Sequence, residues 1–186
     1  MSTRVEPLIT VADLDAMPED DNRYEVIEGE LFLSRAPSLT HQRICVNLVV
    51  MFRTYLDKHP IGEVLTTPGV IFSQISGVIP DVLFMSNERR ALIATGDRIS
   101  GPPELVIEVL SPGPENTRRD RVVKRQLYGK YGVVEYWVVD PESQSVEVYI
   151  LDGETLRESA TYGVTDEIHS SLLQGLVCRV ESIFHY

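Results

Sequence analysis

The heptapeptide ELVIEVL (residues 104–110) holds one ionisable side chain in its interior, Glu108, among Leu105, Val106, Ile107, Val109 and Leu110. So apolar a run reads as a strand buried on both faces. An unpaired carboxylate is costly where there is no water, so the strand predicts a compensating partner: a metal, a cation or a proton. Upstream, VIPDVLFM (78–85) reads as a second apolar strand, with Asp81 behind Pro80. Two acids embedded in two strands make the oxygen-rich set that hard cations such as Mg²⁺ take. Buried carboxylates of shifted proton affinity also concentrate at functional sites.

Downstream of Glu108, spacings of three and four join Thr117, Asp120 or Arg121, Lys124, Leu127 or Tyr128, and Tyr131. They predict a helix from about Thr117 to Tyr131, with Lys124 on or near the stripe that faces the sheet. A lysine there neutralises developing charge or orients a water; equally, its stem covers apolar surface while the ammonium reaches solvent. EYWVVD and SVEVYIL then read as strands, and the tail adds further short ones.

Upstream of Asp81, Thr10 caps a short helix over VADLDAM that Pro18 and EDDN end. RYEVIEGELFLS alternates apolar and polar residues around Glu28-Gly29, the pattern of a hairpin. Pro37 and Ser38 or Thr40 open a helix whose apolar stripe is Ile44, Leu48, Met51, Phe52, Tyr55 and Leu56. His41 shares a face with Ile44, Cys45 and Leu48, so it points inward at the helix start, as a satisfied core histidine or as a member of the site. One acid of the N-terminal hairpin (Glu25, Glu28 or Glu30) is expected to join the carboxylates. EVLTT and VIFSQ are further strands, and a helical turn is expected near Asn87 to Ile93. The order predicts an α/β (α+β) fold: a mixed central sheet flanked by helices, with extra strands in the N-terminal hairpin and the C-terminal tail.

The 186 residues, 43% hydrophobic and 24% charged, suit one globular domain spanning 1–186. Cys45 and Cys178 lie far apart with no CxxC pairing, which argues for reduced thiols and against a zinc finger. His59, His169 and His185 show no metal-ligand spacing. The N-terminus lacks a signal-like apolar stretch, and the longest apolar run, Ile44 to Phe52, is too short to span a bilayer. A cytoplasmic protein without membrane contact is expected. No GxGxxG, P-loop, GxSxG or HExxH occurs, which removes dinucleotide, nucleoside-triphosphate, serine-hydrolase and zincin readings.

The net charge of −11 opposes indiscriminate binding to polyanions. It is unevenly spread. Arg118, Arg119, Arg121, Lys124, Arg125 and Lys130 face a single acid, Asp120, so this segment carries +5 and the rest of the chain −16. Such asymmetry marks an interaction face or a solvated helix surface.

RYEVIEGEL, the Ser38-x-x-His41 helix start, Pro80-Asp81, ELVIEVLSP, Asp120-Arg121 with Lys124 and Tyr128, and GVVEYWVVDP occur in this order between about Arg23 and Val148. Together they resemble a large bacterial family of restriction-endonuclease-like proteins within the PD-(D/E)XK nuclease superfamily. The resemblance implies a restriction-endonuclease-like core and a Mg²⁺ (or Mn²⁺)-dependent endonuclease site that hydrolyses phosphodiester bonds in DNA. Asp81 would be the acid of the PD element and Glu108 that of the (D/E)XK element, both metal ligands. Two residues beyond Glu108 stands Leu110 rather than lysine, and the matching lysine is Lys124, from the following helix. Glu25, His41 and Asp120 are auxiliary candidates. Arg118, Arg119, Arg121 and Arg125 would contact the nucleic-acid backbone. Two alternatives stand beside this: a nuclease-fold binding module without cleavage, and a metal-dependent phosphodiesterase acting on a smaller substrate. Two-fold symmetry would suit cutting both strands, and the apolar Val133 to Tyr136 region, with the tail strands, is the surface expected to support a homodimer.

Overall fold

The computed structural model describes residues 7–18, 20 and 22–185. Thr10 caps α1 (Val11–Leu14) in a reciprocal box with Asp13. Strands β1 (Arg23–Ile27) and β2 (Glu30–Ser34) form the expected hairpin, whose turn puts Glu28 at φ 51° and Gly29 at φ 82°. Helix α2 (Leu39–Leu56), capped by the Ser38 hydroxyl, follows. Next come β3 (Gly62–Thr66), β4 (Val70–Ser73), β5 (Ser76–Val78), β6 (Val82–Ser86), α3 (Asn87–Ile93), β7 (Ala94–Thr95), β8 (Arg98–Ser100) and β9 (Leu105–Val109). The helical segment after β9 has three parts: α4 (Pro114–Arg118), a π-helical stretch (Arg119–Lys124) and α5 (Arg125–Tyr131). Strands β10 (Glu135–Asp140), β11 (Ser145–Asp152), β12 (Thr155–Tyr162), β13 (Glu167–His169) and β14 (Val177–Arg179) and helix α6 (Val180–Phe184) complete the chain.

Two six-stranded sheets result. The central one runs β12-β11-β10-β9-β6-β3, antiparallel except for the β9–β10 pair, which the α4–α5 segment connects as a crossover. Its one face buries Leu105, Ile107, Val109, Trp137 and Val139 against α2 and α6. Its other face buries Val106, Tyr136 and Val138 against α5 and the second sheet. That second sheet, ordered β2-β1-β5-β4-β8-β7, is larger than the N-terminal hairpin expected from the sequence. Alternation identifies strands but not the sheet that receives them, and β4, β5, β7 and β8 are too short for their patterns to show it. No helix among the described residues is long and apolar enough to cross a membrane.

Two further expectations need correction. VIPDVLFM is not one strand: β5 belongs to the second sheet and β6 to the central sheet, and Pro80-Asp81 is the crossing between them. Pro80 has no N–H to donate, which suits a strand break. The Val133 to Tyr136 region is mostly interior rather than an apolar surface: Val133, Glu135 and Tyr136 are fully buried within the chain and Val134 is half-buried.

Candidate active site

Asp81 leaves the β5–β6 crossing beside the end of β9, and its placement is local. Its Oδ2 accepts the Val109 amide N–H at 2.9 Å and lies 3.0 Å from His41 Nε2. Its Oδ1 lies 3.9 Å from the Arg23 guanidinium. Burial alone would raise the Asp81 carboxyl, but the His41 hydrogen bond and charge, the Val109 amide and Lys124 outweigh it and hold Asp81 below the ordinary range. His41 reaches this carboxylate from the first turn of α2, where the Ser38 cap fixes the helix start.

Glu108 projects from β9 toward the α4–α5 segment. Its Oε1 accepts from Lys124 Nζ at 2.9 Å and from the Tyr128 hydroxyl at 2.6 Å. The π-helical stretch widens the helix where it crosses the sheet and turns both Asp120 and Lys124 inward, each buried. Lys124 also reaches Glu25 Oε1 at 3.0 Å, and Glu25 accepts the Ile79 amide N–H at 2.7 Å. The ammonium thus bridges β1 and β9. The Glu108 carboxyl stands at about 8: burial raises it most, Lys124 opposes that, and the charges of Asp81, Asp120 and Glu25 add to the rise. Burial works against the Lys124 ammonium, yet Glu108, Glu25 and Asp120 more than offset that and keep it protonated. Asp120, raised chiefly by burial, sits behind Lys124 and pairs with Arg119 at 3.1 Å.

Glu25, His41, Asp81, Glu108, Arg119 and Lys124 therefore line one cleft. A larger depression of about 710 Å³, bordered by Asn47, Met51, Val177 and Arg179, contains none of these groups. Of the three hairpin acids, Glu25 is in the cleft. Glu28 pairs with Lys130 at 2.7 Å on the turn, and Glu30 is exposed. The four candidate arginines do not form one cationic surface. Arg119 enters the cleft. Arg118 is exposed, Arg121 pairs with Asp140 and Glu147, and Arg125 lies over the Tyr149 ring at 5.0 Å. Three participants were not among the site candidates of the sequence. Helical spacing put Tyr128 on the Lys124 stripe and Cys45 on the His41 face without giving either a role. Nothing in the sequence marks Arg23.

The sequence profile of Uma2, described as "Putative restriction endonuclease", matches residues 11–181. The chain belongs to the Uma2 family. A search of curated proteins finds no match. Among solved structures, the fold seen here is similar to that of "a putative nuclease belonging to DUF820" from Anabaena variabilis, with a TM-score of 0.76 and 19% identity over 95% of this chain and 97% of that one. At that identity the likeness concerns the fold, a mixed sheet flanked by helices of the nuclease type. It leaves the roles of the cleft residues to be argued from their chemistry.

Proposed function

We propose that this chain is a Mg²⁺-dependent DNA endonuclease whose site is Asp81, Glu108 and Lys124, with Glu25, His41 and Asp120 in support. One observation carries the reading. The β9 strand lacks a lysine two residues after its acid, and Lys124, from a π-helical stretch, lies 2.9 Å from that acid and 3.0 Å from Glu25. π-Helical turns are uncommon and often coincide with functional positions.

The donor set fits a hard dication. Glu25, Asp81, Glu108 and Asp120 crowd together, answered by Lys124 and Arg119 and more distantly by Arg23, and burial first, then the charges of the other acids, raise the proton affinity of Glu108. Such crowding is relieved by added positive charge, and all-oxygen ligation suits Mg²⁺ or Mn²⁺. Asp81 and Glu108 would hold the ion. Bound there, it supplies Lewis acidity toward a phosphodiester.

The remaining chemistry is the chain's own. The Val109 amide and His41 keep Asp81 ionised and fixed in direction. Lys124, charged and out of water, faces negative charge that grows on the phosphoryl oxygens, where a preorganised ammonium is worth more than in solvent. Glu25 is the second carboxylate that holds Lys124 in place. Tyr128 donates to Glu108 and turns the carboxylate. Arg119 and Arg118 are the cations best placed along the strand path; a mainly acidic chain would then contact DNA over a short cationic stretch, with little base readout.

The test has two arms. Plasmid, single-stranded and branched DNA are incubated with Mg²⁺ or Mn²⁺ and with chelator, and cleavage is expected with the metals alone. In parallel, Mg²⁺ should raise the melting temperature by mass action on the folded state, and Asp81→Asn should erase that increment. An increment that survives in Asp81→Asn would put the ion elsewhere.

A further inference from the structure

Asp81, a ligand of the ion proposed above, also meets an imidazole, and behind the imidazole stands a thiol; neither is a group that Mg²⁺ favours. His41 Nε2 lies 3.0 Å from Asp81 Oδ2, and Cys45 Sγ lies 3.6 Å from His41 Nδ1. Taking one ligand atom from each residue, the nitrogen, sulfur and oxygen atoms lie within 4.8 Å of one another, and all three residues are buried. His41 and Cys45 stand four residues apart on α2, so one rigid helical face presents both. Cys45 and Asp81 also line a cavity of about 240 Å³ bordered by Gln42, Thr66 and Thr67, which supplies an access route from the outer face of α2.

We propose that His41, Cys45 and Asp81 form a binding site for a thiophilic dication, Zn²⁺ above all, that takes Asp81 away from Mg²⁺. Imidazole nitrogen and thiolate sulfur select Zn²⁺ over Mg²⁺, and three protein ligands with a solvent position complete four-coordination. Charge also balances: a dication with one thiolate, one carboxylate and a neutral imidazole is neutral overall, which burial favours. Burial and the Asp81 and Glu108 charges hold the Cys45 thiol up at about 12, so without metal it stays protonated. A coordinated dication reverses that local preference and releases the thiol proton. Within the empty set, Cys45 and Asp81 meet opposite ring nitrogens of His41, and a shared ion takes one of those nitrogens as the thiol or the ring turns toward it. Arg23, 3.9 Å from Asp81 Oδ1 and partly exposed, has room to withdraw when a cation arrives. Loss of cleavage on Zn²⁺ binding rests on the nuclease reading above; the site itself does not.

Co²⁺ is the probe, added to the full chain after chelator treatment. A thiolate-to-cobalt absorption band in the near ultraviolet, saturating at one equivalent and displaced by Zn²⁺, is the expected result. Cys45→Ser and Cys45→Ala should each abolish the band; Cys178→Ser should keep it. An absent band, or one that persists in the Cys45 variants, overturns the site. The shared ligand is tested by melting. Zn²⁺-loaded protein should lose the increment that Mg²⁺ gives, and full retention of that increment overturns the competition. Should Mg²⁺ give no increment even without Zn²⁺, the nuclease reading fails while the Co²⁺ band still decides the thiophilic site.

Discussion

Glu108 and Glu135 lie on neighbouring parallel strands, both nearly or wholly out of solvent, yet their surroundings are opposite in kind. Glu135 faces the side of the central sheet covered by the C-terminal segment. The Trp137 indole N–H donates to its Oε1 at 2.7 Å, and the Ser170 and Ser171 hydroxyls donate to Oε2 at 3.1 and 3.0 Å. Neutral donors alone satisfy it. Glu108 faces the other side, where a charged lysine and a phenol meet one oxygen and other acids stand close. A buried carboxylate is therefore not in itself a site. What separates the two is whether the neighbours leave the charge solved or leave it waiting for a cation.

The sharpest way to break this contrast is to remove the ammonium on the Glu108 side. Lys124→Met keeps the stem that covers apolar surface and leaves Asp81 and Glu108 free to bind a dication. Cleavage should fall about a hundredfold, the usual cost of one positioned electrostatic donor, while the Mg²⁺ melting increment persists. Arg125→Met, which removes a guanidinium from above the Tyr149 ring, is the control; its smaller loss should fade as salt rises. Equal losses in single-turnover rates would reduce Lys124 to a phosphate contact.

Amide substitution should then divide the two glutamates by stability. Glu135→Gln places an NH₂ group among three donors, so one buried polar group goes unmet at a cost of about 1–3 kcal/mol. Glu108→Gln removes a charge that Asp81, Asp120 and Glu25 oppose, and Lys124 keeps Glu25. Apo stability should stay within about 0.5 kcal/mol of the wild type or rise. Denaturant unfolding of the two variants checks this, and a loss of several kcal/mol in Glu108→Gln would make Glu108 a structural partner of Lys124.

That same contrast explains what the sequence could and could not tell. Glu108 was legible because apolar residues surround it on both sides along the strand. Glu135 was not, because it opens its strand, and a strand-end acid reads as exposed. Helix α2 was legible down to its Ser38 cap because its stripe is long and regular. The π-helical stretch was not: 3.6-residue spacing reads 117–131 as one regular helix, and Asp120 and Lys124, four residues apart, share a stripe with or without the widened turn. Asp81 was found for a reason the structure revises, since it lies at a crossing between sheets rather than inside a strand. The basic run looked like one surface because charge counts carry no direction; Asp140, Glu147 and the Tyr149 ring come from strands far along the chain.

A smaller effect separates the two sides by pH. The Glu108 carboxyl, raised to about 8 from an ordinary 4.5, binds its proton more tightly folded than unfolded. Its contribution to apo stability is fully present below about 4.5 and is lost as pH rises through 8. Asp120, also raised, acts in the same direction, whereas the lowered Asp81 matters only in more acid solution. Melting temperature without metal should therefore decline between pH 5 and 8, and the Mg²⁺ increment should grow over the same interval. Glu108→Gln should flatten the decline. A slope that survives in Glu108→Gln would move the titration to Asp120.

The smallest effects belong to the hydroxyls that solve Glu135. Ser170 is buried and Ser171 exposed, although both donate to the same oxygen. Ser170→Ala leaves the carboxylate one donor short with little access for water, which should cost about 1 kcal/mol. At Ser171 water can take the vacated position, so Ser171→Ala should cost only a few tenths of that. Neither serine lines the cleft, and both changes should leave the Mg²⁺ increment and cleavage unaltered. Urea unfolding with and without Mg²⁺ reads both quantities on one protein. A Ser170→Ala variant that also lost its Mg²⁺ response would show the two faces of the sheet to be coupled through β9 and β10, and the division between a solved and a waiting carboxylate would not hold.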